Sequence, residues 1–162
     1  IAAVEGHAVA GGLGIALFCD MRVASETAVF GFFCRRFGVP GSDGTSVRLP
    51  RLVGVGRALD ILNTGRAVDA HEAKAIGLAD RVAPEGQARA TAEAIARSMA
   101  ALPQTALLAD RWSALNQGGM SLAEALQAEA EGAERAKRTS ARDGAARFAA
   151  GAGRGGARAD EQ

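Results

Sequence analysis

The chain has 162 residues, 48% of them hydrophobic and 23% charged, with a net charge of +1 at neutral pH. That length admits one domain with a real core. The near-zero charge argues against nucleic acid or an anionic membrane surface as a partner, and no apolar run reaches the length of a membrane span. The two cysteines, Cys19 and Cys34, form no C-x-x-C pair and no metal-ligand spacing. Buried, reduced thiols in a cytoplasmic protein are the expectation, with no metal site.

Ile1-Ala2-Ala3-Val4 is a short run of β-formers, suited to a buried strand, and Gly6 ends it. A chain that opens inside a core strand reads as a fragment, or as a product that has lost its front part. Gly11 and Gly12 then let the backbone turn sharply, since neither carries a Cβ. From Leu13 to Cys19 the chain is apolar and suited to a helix. A strand, a glycine turn and a helix start leave unpaired N–H groups that can stabilise negative charge on oxygen. The alternative for this segment is a tight turn with close helix–strand packing. It is not a dinucleotide fingerprint, because the glycines lack the G-x-G-x-x-G order.

Asp20 to Ser25 reads as a second strand and Ser25-Glu26-Thr27 as a turn. Ala28 to Cys34 is a further apolar, aromatic strand. Phe37 to Gly44 is a loop by its glycine and proline content. Thr45 to Val53 is helical or turn-like, interrupted by Pro50. Helices follow: Gly56 to Leu62, ended near Gly65, then one capped by Asp69 with Glu72 and stopped at Gly77. Leu78 to Val82 is a short strand. Gly86 to Leu102 is an alanine-rich helix, and Pro103 opens the next, to about Asn116. Ser121 and Glu124 form a capping box for a helix to about Arg138. Ser140 and Asp143 point to a last short helix, to about Ala150.

Strands first and helices after give an α/β core, residues 1–85, followed by a helical region, 86–150. The apolar faces of those helices need cover from the core or a neighbouring subunit. Residues 151–162, rich in Gly, Ala and Arg, are expected to be disordered.

Ile1-Ala2-Ala3-Val4-Glu5-Gly6-His7-Ala8-Val9-Ala10-Gly11-Gly12 resembles the crotonase (enoyl-CoA hydratase/isomerase) signature I-A-A-V-x-G-x-A-x-G-G-G. Further blocks agree: Phe33-Cys34-Arg35-Arg36-Phe37-Gly38-Val39-Pro40 resembles a subgroup pattern F-C-R-R-[WF]-G-V-P. Val47 to Gly54, Leu62 to Arg66, Ala70 to Ala73 and Ile76 to Val82 look like later family blocks. The resemblance covers about residues 1–150 and implies a partial crotonase-like spiral of ββα repeats with a C-terminal helical region for oligomerisation. It implies an acyl-CoA substrate, with coenzyme A part of that substrate and no separate cofactor. Family members assemble as trimers or dimers of trimers, so a homotrimer or hexamer is implied.

The same resemblance assigns roles. Gly11 would give one of two N–H donors to the enolate oxygen, and the other would lie in an N-terminal repeat. Ala10, Gly12, Cys34 and Pro40 would line the substrate site. The two glutamates of a hydratase fall on Gly14 and Cys34, neither of them an acid. Asp43 is the remaining carboxylate candidate: a desolvated carboxyl there would have a raised pKa and act as acid or base. Its alternative role is to stabilise a turn. His7 reads as structural. Arg35, Arg36, Arg48 and Arg51 read as solvated or ion-paired rather than phosphate-binding, and Trp112 as core or interface packing. Three functions remain open: hydratase or isomerase, an inactive oligomeric remnant, or other thioester chemistry such as hydrolysis.

Overall fold

A computed structural model describes residues 1–153. It forms two compact units, Ile1–Ala96 and a second that begins at Arg97. Most of the tail expected to be disordered, from residue 154 on, lies outside the described residues.

The first unit carries six short strands: β1 (Ala2–Val4), β2 (His7–Val9), β3 (Arg22–Ser25), β4 (Val29–Gly31), β5 (Ala67–Asp69) and β6 (Arg81–Ala83). Its helices are α1 (Gly11–Phe18), α2 (Thr45–Val53), α3 (Val55–Thr64), α4 (Ala70–Ala75) and most of α5 (Ala88–Ala100). The strands form two sheets, ordered β1-β3-β6 and β2-β4-β5. Every pair is parallel except β4 with β5. The chain changes sheet at Glu5 and Gly6, so β1 and β2 lie in different sheets. The next two strands repeat the step: β3 lies beside β1 and β4 beside β2, in matching register. This stacking is the ββα spiral expected from the sequence.

The core fills the space between the sheets and the helices. Leu13, Phe30, Leu49, Ile61, Val68 and Leu78 are buried to 0–1% exposure. Burying each large side chain contributes roughly 1.5–3 kcal/mol, which is what drives such short strands to pair. Arg22 is the one buried cation of this core, at 3% exposure. Its guanidinium donates to the carbonyls of Leu78 and Cys19, each at 2.7 Å, and lies 3.4 Å from the Asp80 carboxylate. It thereby caps the C-terminal end of α1 and ties it to the segment before β6.

Several local expectations change. Strands β2 and β5 are absent from the sequence reading, because three residues carry too little periodicity to show. The strand expected over Ala28–Cys34 stops at Gly31, and Phe33–Phe37 winds into a 3-10 turn closed by Gly38 in the left-handed region. Pro50 does not interrupt α2, which runs through it to Val53. The lost N–H bond is confined to one position, and the buried Leu49 and Val53 hold the helix on the core. Asp69 does cap α4, accepting from Glu72 N at 2.8 Å. The Glu72 carboxylate instead grips Arg66, so only half of the box forms.

The second unit contains α6 (Gln104–Asn116), α7 (Leu122–Ala136) and α8 (Arg142–Ala149). Helices α6 and α7 pack together, with Gly132 buried where α7 meets Ala109. The Ser121–Glu124 capping box is complete in both directions. Ser140 does not cap a separate helix. A π-helical segment, Lys137–Ala141, joins α7 to α8 without a break, and Ser140 Oγ donates back to the Ala136 carbonyl at 3.1 Å.

Candidate active site

The segment between β2 and α1 makes its sharp turn at Ala10, not at the glycines. Ala10 has φ 51° and ψ −123°, the one non-glycine residue with positive φ among the described residues. Gly11 and Gly12 are already helical. A Cβ on Gly11 would meet nothing within 4 Å. An alanine held in this region stores roughly 1–3 kcal/mol of strain. Three bonds hold it there: Ala10 N donates to the Gly31 carbonyl at 3.0 Å, and the Ala10 carbonyl accepts from Leu13 N at 3.1 Å and from Gly14 N at 3.3 Å. The strain aims the start of α1 outward. Gly11 and Gly12, both exposed, occupy the first two helical positions, whose N–H groups have no intrahelical acceptor. With the positive end of the helix dipole, these donors suit a developing oxyanion.

One helical turn along α1 from Gly11 stands Gly14, which is buried. The half-buried Asp43 reaches it from the loop before α2. A Cβ built on Gly14 would lie 2.6 Å from Asp43 Cγ and 3.1 Å from Thr45 Oγ1. Asp43 Oδ1 accepts from Thr45 N at 3.0 Å, and the Asp43 carbonyl accepts from Arg48 Nη1 at 3.3 Å. The Arg48 guanidinium in turn sits 3.6 Å over the Phe18 ring, which fastens the start of α2 to the end of α1.

The Asp43 pKa is lowered, not raised as expected. The Thr45 hydroxyl is the largest cause; the Thr45 N–H and the Arg48 charge add to it and together outweigh desolvation. Thr45 Oγ1 is fully buried and makes no hydrogen bond of regular geometry, so the carboxylate beside it is the acceptor to which it can turn. Asp43 therefore stabilises its turn, the alternative role weighed for it, and its carboxylate stands against α1.

The other candidates are dispersed. Cys34 sits half-buried in the 3-10 turn, a free thiol packed against the core. Pro40 is exposed on the following loop. A groove of about 350 Å³ between β1, β2 and α1 is lined by Gly12 and by His7, Ile15 and Cys19, but not by Asp43, Cys34 or Pro40. His7 is exposed on β2. Arg35 and Arg36 are exposed, as the solvated reading expects, and pair with no carboxylate among the described residues. They donate to the carbonyls of Leu62 and Gly65, at 3.4 and 2.8 Å, and pin the 3-10 turn to the end of α3. Two site features escaped the sequence reading: the strain at Ala10 and the buried hydroxyl of Thr45. The Ala10 position had a signal, since the quoted signature carries glycine where this chain has alanine.

The enoyl-CoA hydratase/isomerase family model matches residues 1–150. The chain belongs to this family. YngF of Bacillus subtilis, which bears an enoyl-CoA hydratase/isomerase name, is 46% identical over 102 residues, covering 62% of this chain and 39% of YngF. An enoyl-CoA hydratase subunit of Geobacillus kaustophilus has a solved structure that overlays with a TM-score of 0.86 at 33% identity, over 90% of this chain and 57% of that one. A Thermobifida fusca chain solved in complex with CoA overlays with a TM-score of 0.80 at 31% identity, over 86% of this chain and 55% of that one. These overlays establish the crotonase fold. The chain spans about half the length of the curated relatives it matches. Among the described residues, no helix is long and apolar enough to cross a membrane.

Proposed function

We propose that this chain carries one half of an acyl-CoA site, where a thioester enolate forms against the Gly11 N–H and Asp43 moves the proton. The observation that carries this reading is the Asp43 carboxylate standing against Gly14, one turn along α1 from Gly11. The lowered pKa keeps Asp43 ionised at neutral pH, ready to act as a base. It would take a proton from the carbon beside the thioester carbonyl. The negative charge then moves to the carbonyl oxygen, where the helix N-terminus accepts it. The Asp43 carboxylic acid so formed would return the proton to the γ-carbon, completing a double-bond shift; in a hydration Asp43 would instead take a proton from the water that adds to the β-carbon and give it to the α-carbon of the enolate.

The rest of the proposal follows the resemblance. Ala10, Gly12, Cys34 and Pro40 would border the acyl chain, Cys34 marking the F-C-R-R-[WF]-G-V-P subgroup that does without a second glutamate. The second oxyanion donor would come from the part of the family domain that this chain does not span. No cofactor other than the CoA of the substrate is needed. Assembly as a homotrimer or hexamer through the helices after residue 86, in the cytoplasm, completes the reading. Binding of CoA by the Thermobifida fusca homologue supports the ligand class.

The test is turnover of crotonyl-CoA by the protein that carries this chain. Asp43→Asn should lower kcat by about 100-fold or more, the usual scale of a lost general base. Cys34→Ser should leave most of the activity. Full activity in Asp43→Asn removes Asp43 from the chemistry. Absence of saturable CoA binding by calorimetry would favour an inactive remnant instead.

A further inference from the structure

Gly14 is the one glycine of α1 whose missing side chain leaves a space that another residue uses. Carbon atoms at rest lie about 3.5–4.0 Å apart. A Cβ at position 14 would stand 2.6 Å from Asp43 Cγ, and closer still to Oδ2. The carboxylate therefore occupies the volume into which any side chain of residue 14 would project. Its Oδ1 is held in place by Thr45 N at 3.0 Å. Displacing it would break the first hydrogen bond at the start of α2. Glycine is also a poor choice inside a helix on propensity grounds, and Gly14 has an ordinary helical backbone that any residue can adopt. Backbone conformation thus gives no reason for glycine here. The carboxylate does.

We propose that positions 14 and 43 share a single carboxylate slot, that Asp43 fills it from the loop, and that Gly14 is the positioning residue that opens it. The slot has room for one acid. A side chain delivered from the helix at 14 and one delivered from the loop at 43 exclude each other. Thr45 completes the slot: its buried hydroxyl has no other partner and points the ionised carboxylate into the space beside α1. The loss of an acid at position 14 is then a relocation rather than a deletion. The steric part of this proposal stands without any enzymatic reading; the statement that the relocated acid moves protons rests on the proposed acyl-CoA chemistry.

A double-mutant cycle on thermal stability tests it. Alanine is the better helix former, so at an unobstructed site Gly14→Ala raises Tm. With Asp43 in place, the added methyl should instead lower Tm. In the Asp43→Ala background, where the hydroxyl of Thr45 can turn away from the added methyl, the same substitution should lose that penalty and raise Tm. A rise of equal size in both backgrounds overturns the proposal. Carbon-13 titration of the Asp43 carboxyl gives an independent readout: Gly14→Ala should move its pKa up toward the ordinary value, because the carboxylate leaves Thr45. An unchanged titration also overturns it. In turnover assays, Asp43→Gly should abolish activity and Gly14→Glu in the same chain should restore part of it. Sign reversal with no activity in any variant, wild type included, keeps the slot and sinks the acyl-CoA reading.

Discussion

The α/β unit and the helices beyond Arg97 are built on opposite principles. In the first, the large apolar side chains are consumed: Phe30 and Leu13 are 0% exposed and Phe32 is 2% exposed. In the second, Leu108, Trp112 and Leu115 recur at one face of α6 and are 48–57% exposed. The interior residues of α6 and α7 that are buried are only Gly132 and Ala136. The first unit is therefore held by its core. Helices α6 and α7 approach closely at Gly132, α7 is capped by Ser121 and Glu124, and the apolar side chains of α6 stay largely exposed. That difference bears on the proposed site, whose residues all belong to the first unit. A strained alanine and a buried hydroxyl set against a carboxylate can persist only where a packed core over-determines them.

The largest test of this contrast deletes an aromatic ring from each unit. Phe30→Ala should destabilise by about 3–5 kcal/mol, the usual range for emptying a core aromatic site. Trp112→Ala, at 48% exposure, should lose no more than about 1–2 kcal/mol in the isolated chain. Urea unfolding measures both. Equal losses would mean that the helices have a core of their own, and the contrast would fail. A smaller effect is expected at Ser121. Its hydroxyl accepts from Glu124 N, while the Glu124 carboxylate accepts from Ser121 N at 2.8 Å. Ser121→Ala should cost about 1 kcal/mol. Because this box caps α7, hydrogen exchange should quicken along α7 and stay unchanged in β3 and β4. Faster exchange in those strands would show that the two units are stabilised together.

What the sequence made legible follows the same division. Signals that act within a few residues were readable: the Ser121–Glu124 box, the Asp69 cap, and the left-handed Gly65 that ends α3. Signals set by distant partners were not. Strands β2 and β5 exist because β4 lies between them, and no three-residue window announces that. Ser140 resembles a cap locally, but the preceding helix runs straight through it. At the proposed site, the family blocks pointed to Gly11 and Asp43, while the missing acid at Gly14 looked like a loss. Only the fold shows that the Asp43 carboxylate stands in the space that Gly14 leaves. The direction of the Asp43 pKa was misread for a related reason. Burial is guessed from composition, but the Thr45 hydroxyl that outweighs it is placed by the tertiary fold.

The smallest expected effect is also the sharpest check on that carboxylate. A pKa lowered from the ordinary 3.8 means that the folded protein favours ionised Asp43 more than the unfolded chain does. The resulting stability is fully present above the unfolded value. It declines as the pH falls through the lower, folded value, where the carboxyl takes up its proton. Asn at position 43 keeps the shape and has no such dependence. Urea midpoints of wild type and Asp43→Asn should therefore differ by a constant amount from about pH 5 upward and converge in acid. A gap that instead widens as acid is added would mean a raised pKa, with desolvation dominant over Thr45. Thr45→Val separates the causes further. It removes the hydroxyl and keeps the backbone donor, so it should bring the Asp43 titration part of the way back to its ordinary position. If it does not, the hydroxyl faces elsewhere, and the carboxylate owes its low pKa to the start of α2 and to Arg48 alone.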